Sequence, residues 1–424
     1  MLKNVFILIC SLAFLFFAAC SEQAAAYEPA PLIVQDEAVA VNANAASVWR
    51  DETVPLSLQI EIENYELGMY EPSVGSFIGA YIERDVTVTS IRAFEADMGV
   101  NHAIFAYTMA LDDDYPILWV LENIAGMKTP FFIVMPPEEG VVYDTDMLAD
   151  FAREAGRFRV PVLVNLFPIV KGHSFVPSEY IAFFREARGI FAEYAPNVAL
   201  VWGLDAQSMV FSTQFYPGRD AVDWVHLIAY NDVGVDGRYE DFFAYIDFFY
   251  FAFQQEGPLV VSTAVSHYTS ENNRYYTHEA AEKIEYIYER LQEYTRIRAV
   301  LYRNYDDIQG SGHKYAVNSS RDISETYART TGAPHFLNRL VGSPNFAETA
   351  TMRIHSPFGA IMRDSYFYIS ARGLMYDTRF DYLELLEGRE VEIDGELFFT
   401  IADVNRVSGV DFFVDMRQGL LVLR

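Results

Sequence analysis

Residues Gln214–Asp232 read QFYPGRDAVDWVHLIAYND, and the run inside them, WVHLIAY (Trp224–Tyr230), decides the fold. A strand with one face in water alternates apolar and polar side chains. Here only His226 interrupts the apolar run, so the pattern predicts a strand covered on both faces. Such strands belong to parallel sheets, whose crossover connections lay helices over the faces. The run enters from an aromatic turn at Tyr216-Pro217-Gly218 and leaves at the polar corner Asn231-Asp232.

Working outward, seven more runs of the same kind are spaced along the chain. They are FIGAY (77–81), AIFAY (103–107), FFIVM (131–135), PVLVNL (161–166), VALVW (198–202), PLVVST (258–263) and AVLY (299–302). Between them lie stretches of helical length and period. DTDMLADFAREAGRF (144–158) opens on a capping-type Asp144 or Thr145, and VPSEYIAFFREARGIFAEYAP (176–196) has Pro177 where a helix tolerates it. THEAAEKIEYIYERLQEYTR (277–296) carries charges spaced for an exposed face. Eight β–α units over roughly 260 residues predict an α/β fold, a (β/α)8 TIM barrel. The competitor, an open doubly wound sheet, lacks the GxGxxG or P-loop glycines that would support it.

The chain has 424 residues, 51% of them apolar and 15% aromatic, ample for a large core. Its formal charge is −28. That excludes nucleic acid as a partner, because phosphate binding needs clustered Lys and Arg, and it suits a non-associating secreted domain. The N-terminus, MLKNVFILICSLAFLFFAACSEQ, has a basic start at Lys3, a short apolar run, then Ala18-Ala19 before Cys20. FAAC followed by Ser21 resembles the bacterial lipoprotein signal, with Phe17 in place of the usual Leu. The resemblance implies cleavage before Cys20, lipidation of that residue and anchoring to the outer face of a bacterial membrane. The other cysteine, Cys10, lies in the part removed, so no disulfide is expected. The domain expectation is therefore signal peptide 1–19, tether 20–60, barrel 61–335 and a small α+β module 336–424.

In a barrel the site lies at the C-terminal ends of the strands. Aromatics are frequent there, and flat rings suit the C–H faces of sugars, although 28 Tyr and 33 Phe make packing the bland alternative for each. At this point the segment FYPGRDAVDWVHLIAYN resembles the strand-6 segment of glycoside hydrolase family 26, the retaining β-mannanase family. The matching positions are Tyr216, Pro217, Gly218, Asp220, Val222, Asp223, Trp224, Val225, Tyr230 and Asn231. APNVALVWGLD, RIRAVLYRNYD and YAVNSSRD resemble flanking family segments in the right order. The resemblance implies polysaccharide or cell-wall glycan as partner, substrate-binding roles for Asn165, Trp202, Tyr216, Trp224, Tyr230 and Asn231, and two catalytic glutamates. A retaining enzyme holds those two carboxyls about 5 Å apart, one to protonate the leaving oxygen and one to attack carbon. In PVLVNLFPIVKG (161–172), however, Ile169 stands where the acid/base Glu is expected, and in PLVVSTAV Thr263 stands at the nucleophile. Neither can do the work. Ile moves no proton, and Thr has no evident base beside it.

The expectation is a carbohydrate-binding barrel without hydrolytic activity. The alternatives are an active hydrolase whose carboxylates have moved, drawn from Glu138, Glu139, Asp205, Asp232, Asp236, Glu271 and Asp306, or a structural envelope protein. No HxxxH, HExxH or GxSxG pattern occurs, so neither metal, cofactor nor serine chemistry is expected, and His226 reads as a hydrogen-bonded core histidine. After Thr331 the rhythm stops. EIDGELFFTIADVNRVSGVDFFVDMRQGLLVLR resembles the small repeat named after the copper amine oxidase N-terminal domain, with no copper ligands.

Overall fold

A computed structural model describes residues 53–82, 88, 90–137, 142–340, 349–355, 359–364, 366–377, 386–408, 412–415 and 420–423. The signal peptide, Cys20, most of the segment read as tether, and Glu138 and Glu139 lie outside the described residues.

The eight runs are eight strands: β1 (Ser76–Tyr81), β2 (Ile104–Ala110), β3 (Thr129–Met135), β4 (Val162–Leu166), β5 (Val198–Asp205), β6 (Trp224–Asn231), β7 (Leu259–Val265) and β8 (Ile297–Arg303). Each is parallel to the next, and β8 closes the ring against β1, from Ala299 opposite Phe77 to Arg303 opposite Tyr81. Seven helices alternate with them or follow: α1 (Ile91–Met98), α2 (Ile117–Ala125), α3 (Thr145–Gly156), α4 (Pro177–Tyr194), α5 (Phe242–Phe253), α6 (Thr277–Leu291) and α7 (Arg321–Thr331). Only a short helix, Met209–Ser212, and a 3-10 turn connect β5 to β6. The chain forms the closed (β/α)8 barrel that the run pattern predicts.

Strand parity explains why those runs barely alternate. Alternate side chains of each strand, such as Phe77, Phe131, Leu163, Val201, Trp224, Val260 and Leu301, fill the inside of the ring. Their neighbours Ile78, Phe132, Val164, Leu200, Trp202, Val225, Val261 and Val300 join the helices in an outer core. Both faces are therefore apolar. The helices start where their caps dictate. Asp144 accepts the Met147 amide at 2.9 Å, Ser90 that of Ala93 at 3.1 Å and Ser320 that of Ile323 at 3.4 Å. No helix among the described residues is long and apolar enough to cross a membrane.

A second unit comprises the chain up to Gln59 and from Phe358 onward. Its sheet runs in the order Val391–Ile393, Glu396–Thr400, Tyr366–Ser370, Ala360–Arg363, Val54–Glu66, Leu420–Leu423, Phe412–Asp415. Helix Ile401–Ser408 follows the hairpin made by the first two. The strand Val54–Glu66 changes the reading of the N-terminal segment. Its first residues, expected as tether, pair antiparallel with the C-terminal module, Val54 opposite Met362 and Leu56 opposite Ala360. The physical reason is the alternation LSLQIEIE, which buries Leu56 and Leu58 on one face.

Candidate functional site

At the C-terminal end of the ring, the connections after β7 and β8 fold into a four-stranded antiparallel patch. It is made of Arg274–Tyr275, Tyr268–Thr269, His313–Lys314 and Asp306–Asp307. This patch and the ends of β5 and β6 enclose a cleft of about 620 Å³ lined by Asp205, Ile228, Tyr230, Asn231, Asp232, Tyr239, Glu240, Thr269, Glu271 and His313. A second cleft of similar volume lies against α1 and α2, where Glu95 pairs with Lys128 at 2.6 Å. It includes no strand end.

The two positions that the family resemblance assigns to catalysis are not on the cleft wall. Beyond β4, Phe167 takes a left-handed backbone (φ 48°) and turns the chain. Ile169 then bridges to Leu204. It donates its amide to the Gly203 carbonyl at 2.8 Å and accepts from the Asp205 amide at 3.0 Å. Its side chain is fully buried in the outer core. Thr263 shares the outward parity of Val261 and Val265 and is also fully buried, its hydroxyl accepting from Asn231 Nδ2 at 3.1 Å. A slip of one residue in the alignment recovers nothing, because the neighbours are Pro168 and Val170 on one strand and Ser262 and Ala264 on the other.

Among the expected binding residues, two reach the cleft. Tyr230 and Asn231 line it, Asn231 being held by Thr263 and by the Ala264 carbonyl at 3.3 Å. The packing of the other aromatics corrects their assignment to substrate binding. Trp202 points outward into the helix layer, edge-on to Tyr216 and against Phe253, each at 5.2 Å. Tyr216 packs there with it and bonds Glu256 at 3.1 Å. Trp224 opens β6, so it sits at the far end of the ring from the mouth, its indole nitrogen donating to the Met69 carbonyl at 2.5 Å. Neither Trp exposes a face.

Asn165 lies inside the ring in a buried relay. Its amide nitrogen lies 2.8 Å from His226 Nδ1, and His226 Nε2 lies 2.7 Å from Ser262 Oγ. An amide nitrogen donates, so Nδ1 accepts and the imidazole proton on Nε2 is given to Ser262. Burial, aided by the Arg303 charge, pushes His226 down to about 3, so it is neutral at ordinary pH. With its proton already turned toward Ser262, it cannot serve as base for that hydroxyl. Gly203 is required opposite, because a Cβ there would lie 2.4 Å from Asn165 Nδ2. The relay is a core element, as read for His226 from the sequence.

The moved-carboxylate candidates divide. Asp205 accepts the amides of Lys171 (2.7 Å) and Ser208 (2.6 Å), a loop-holding role. Asp232 accepts the Tyr315 hydroxyl at 2.6 Å, and Asp306 the Tyr315 and Ala316 amides at 3.1 and 3.3 Å. Asp236 is exposed beside Arg238 at 3.8 Å. Of the four described candidates outside that exposed turn, Asp205, Asp232 and Glu271 face the cleft. No group of acids, histidines or cysteines among the described residues could hold a metal ion.

One residue not singled out from the sequence stands out here. Arg303, the last residue of β8, points into the mouth among Tyr81, Tyr230 and Tyr305, its guanidinium 4.5, 5.8 and 5.8 Å from their ring centres. The Tyr230 and Tyr305 hydroxyls are 2.9 Å apart, and Tyr315 packs on Tyr230 at 5.4 Å. The signal was available as a single Arg in the apolar run AVLYRN.

No protein-family model matches the chain, and no curated protein sequence does. Solved structures do resemble it in fold. A modular endo-β-1,4-mannanase of family 26 from Cellulomonas fimi matches at 14% identity over 67% of this chain and 80% of its own, with a TM-score of 0.48. A family 26 β-mannanase from Bacteroides ovatus matches at 13% over 62% and 90%, TM-score 0.46. A psychrophilic family 10 endo-β-1,4-xylanase matches at 10% over 60% and 96%, TM-score 0.44. These are likenesses of fold, shared by more than one hydrolase family.

Proposed function

We propose that this protein is a lipid-anchored surface glycan-binding protein whose barrel holds a saccharide at its mouth without cleaving it. The observation that carries the proposal is the fate of the two positions expected to be glutamates. Ile169 and Thr263 are buried, turned from the mouth and flanked by residues that do not ionise. The cleft beside them keeps a tyrosine face, an amide and several hydroxyls, the groups that hold sugars through stacking and hydrogen bonds. Glycan binding also accords with the resemblance of Tyr216–Asn231 to a family 26 segment. The anchor rests on Cys20 in the FAAC segment. A Cys20→Ala chain is expected to move from the detergent phase to the aqueous phase on partitioning.

The test of binding without cleavage is affinity electrophoresis in glycan gels, paired with a reducing-sugar assay. Retardation with no product over days is the expected outcome. Asp232 and Glu271 in the cleft lining favour a second reading, a hydrolase with moved acids. Product release that disappears in Glu271→Gln or Asp232→Asn would replace the first reading with the second.

A further inference from the structure

Arg303 is only 9% exposed, and its Nε has no hydrogen-bond partner. The groups around it are phenols. Burial opposes its positive form, and Tyr230, Tyr305 and Tyr81 uphold it, with a hydrogen bond to Tyr305. Among the described residues no carboxylate pairs with it. The other buried arginines of the same strand region, Arg296 and Arg298, share Glu71. Aromatic faces offset part of the cost of burying a guanidinium, but with one bond to Tyr305 they leave Nε unused, and the guanidinium fork fits a planar or tetrahedral anion. Tyr230 both flanks Arg303 and lines the cleft, so a group bound against Tyr230 has the guanidinium on the other side of that ring's edge, 5.8 Å from the ring centre.

We propose that Arg303 recognises a negative charge on the bound saccharide, and hence that the ligand is an acidic glycan carrying a carboxylate or a sulfate ester on its sugar rings. This rests on the glycan-binding reading above. A single recessed guanidinium suits one anionic group per binding event. The chain's net charge of −28 would hold a polyanion off at low ionic strength, so the measurement belongs at about 0.15 M salt, where the Debye length is about 8 Å.

The full chain is titrated calorimetrically with three oligosaccharides of equal length: a galacturonate, a sulfated galactan and a neutral mannan. At least one acidic probe is expected to bind about tenfold or more tighter than the neutral one, the effect of one charge-assisted contact. Arg303→Met is expected to lower the affinity of the preferred acidic probe about tenfold, so that its preference over the neutral probe disappears, and Arg303→Lys to restore part of it. The preferred acidic probe identifies carboxylate or sulfate as the recognised group. A urea midpoint near wild type establishes that the variants fold. Equal binding of acidic and neutral probes, or a preference that survives Arg303→Met, overturns the inference and leaves the glycan reading standing. Absence of binding by all three overturns both.

Discussion

The two ends of this barrel treat buried arginine in opposite ways. At the end where the strands begin, Arg296 and Arg298 converge on Glu71. The Arg296 Nε also donates to the Gln254 carbonyl at 3.0 Å, and Glu71 accepts the Gly68 amide at 2.9 Å. Tyr70 closes the same floor, its hydroxyl donating to the Asn197 carbonyl at 2.9 Å. At the end where the strands finish, Arg303 has rings around it and no carboxylate among the described residues. The floor charges share a carboxylate, whereas the described partners of the mouth charge are aromatic rings and a phenol hydroxyl. That difference separates an element built for stability from one built for recognition, and each end can be challenged directly.

The largest effect is expected at the floor. Glu71→Gln keeps the shape of the side chain and removes the carboxylate that two buried guanidiniums share. Breaking a buried pair from one side costs about 3–5 kcal/mol, and urea unfolding followed by tryptophan fluorescence reads it. A loss below about 1 kcal/mol would mean that the floor charges are solvated, and the contrast between the ends would vanish.

Between the two ends lies the Asn165–His226–Ser262 relay, whose signature is acid sensitivity. Unfolded, His226 takes up a proton as the pH falls through 6.5, whereas folded it stays neutral down to about 3. The unfolded state therefore binds more protons in that window, and stability falls as the pH drops through it, by about 1.4 kcal/mol per pH unit for this one group. Urea stability of wild type and His226→Gln at pH 7 and pH 5 should diverge accordingly, the variant showing the shallower acid loss. Parallel profiles would remove His226 from the account.

How much of this was legible beforehand follows from particular residues. The barrel was legible because its strands are apolar on both faces and number eight, and because the glycine loops that would support an open doubly wound sheet are missing. Val54–Glu66 was passed over, although LSLQIEIE alternates strictly, because the Ala- and Asn-rich residues before it set the tone of the segment. The site was less legible. A stacking role for Trp202 and Trp224 needed two facts that spacing alone does not supply: which way β5 faces at residue 202, and that residue 224 begins its strand rather than ending it. Arg303 escaped notice because a lone charge at the end of an apolar run is commonly the first residue of a loop. Only the closed ring turns that position inward, toward Tyr81 across the β8–β1 seam.

The smallest effect is expected at the mouth, and it is the most telling for the comparison. Replacing a buried ionic group by an apolar side chain of similar volume is often neutral or stabilising, provided that no counter-charge is orphaned. Arg303→Met orphans none among the described residues, and the methionine chain can lie against the same three tyrosine rings. Its urea stability should therefore match wild type within about 0.5 kcal/mol or exceed it. A loss approaching that of Glu71→Gln would place Arg303 among the structural charges. An unchanged or raised stability means that the fold keeps an arginine it does not need for folding, beside a tyrosine that lines the cleft.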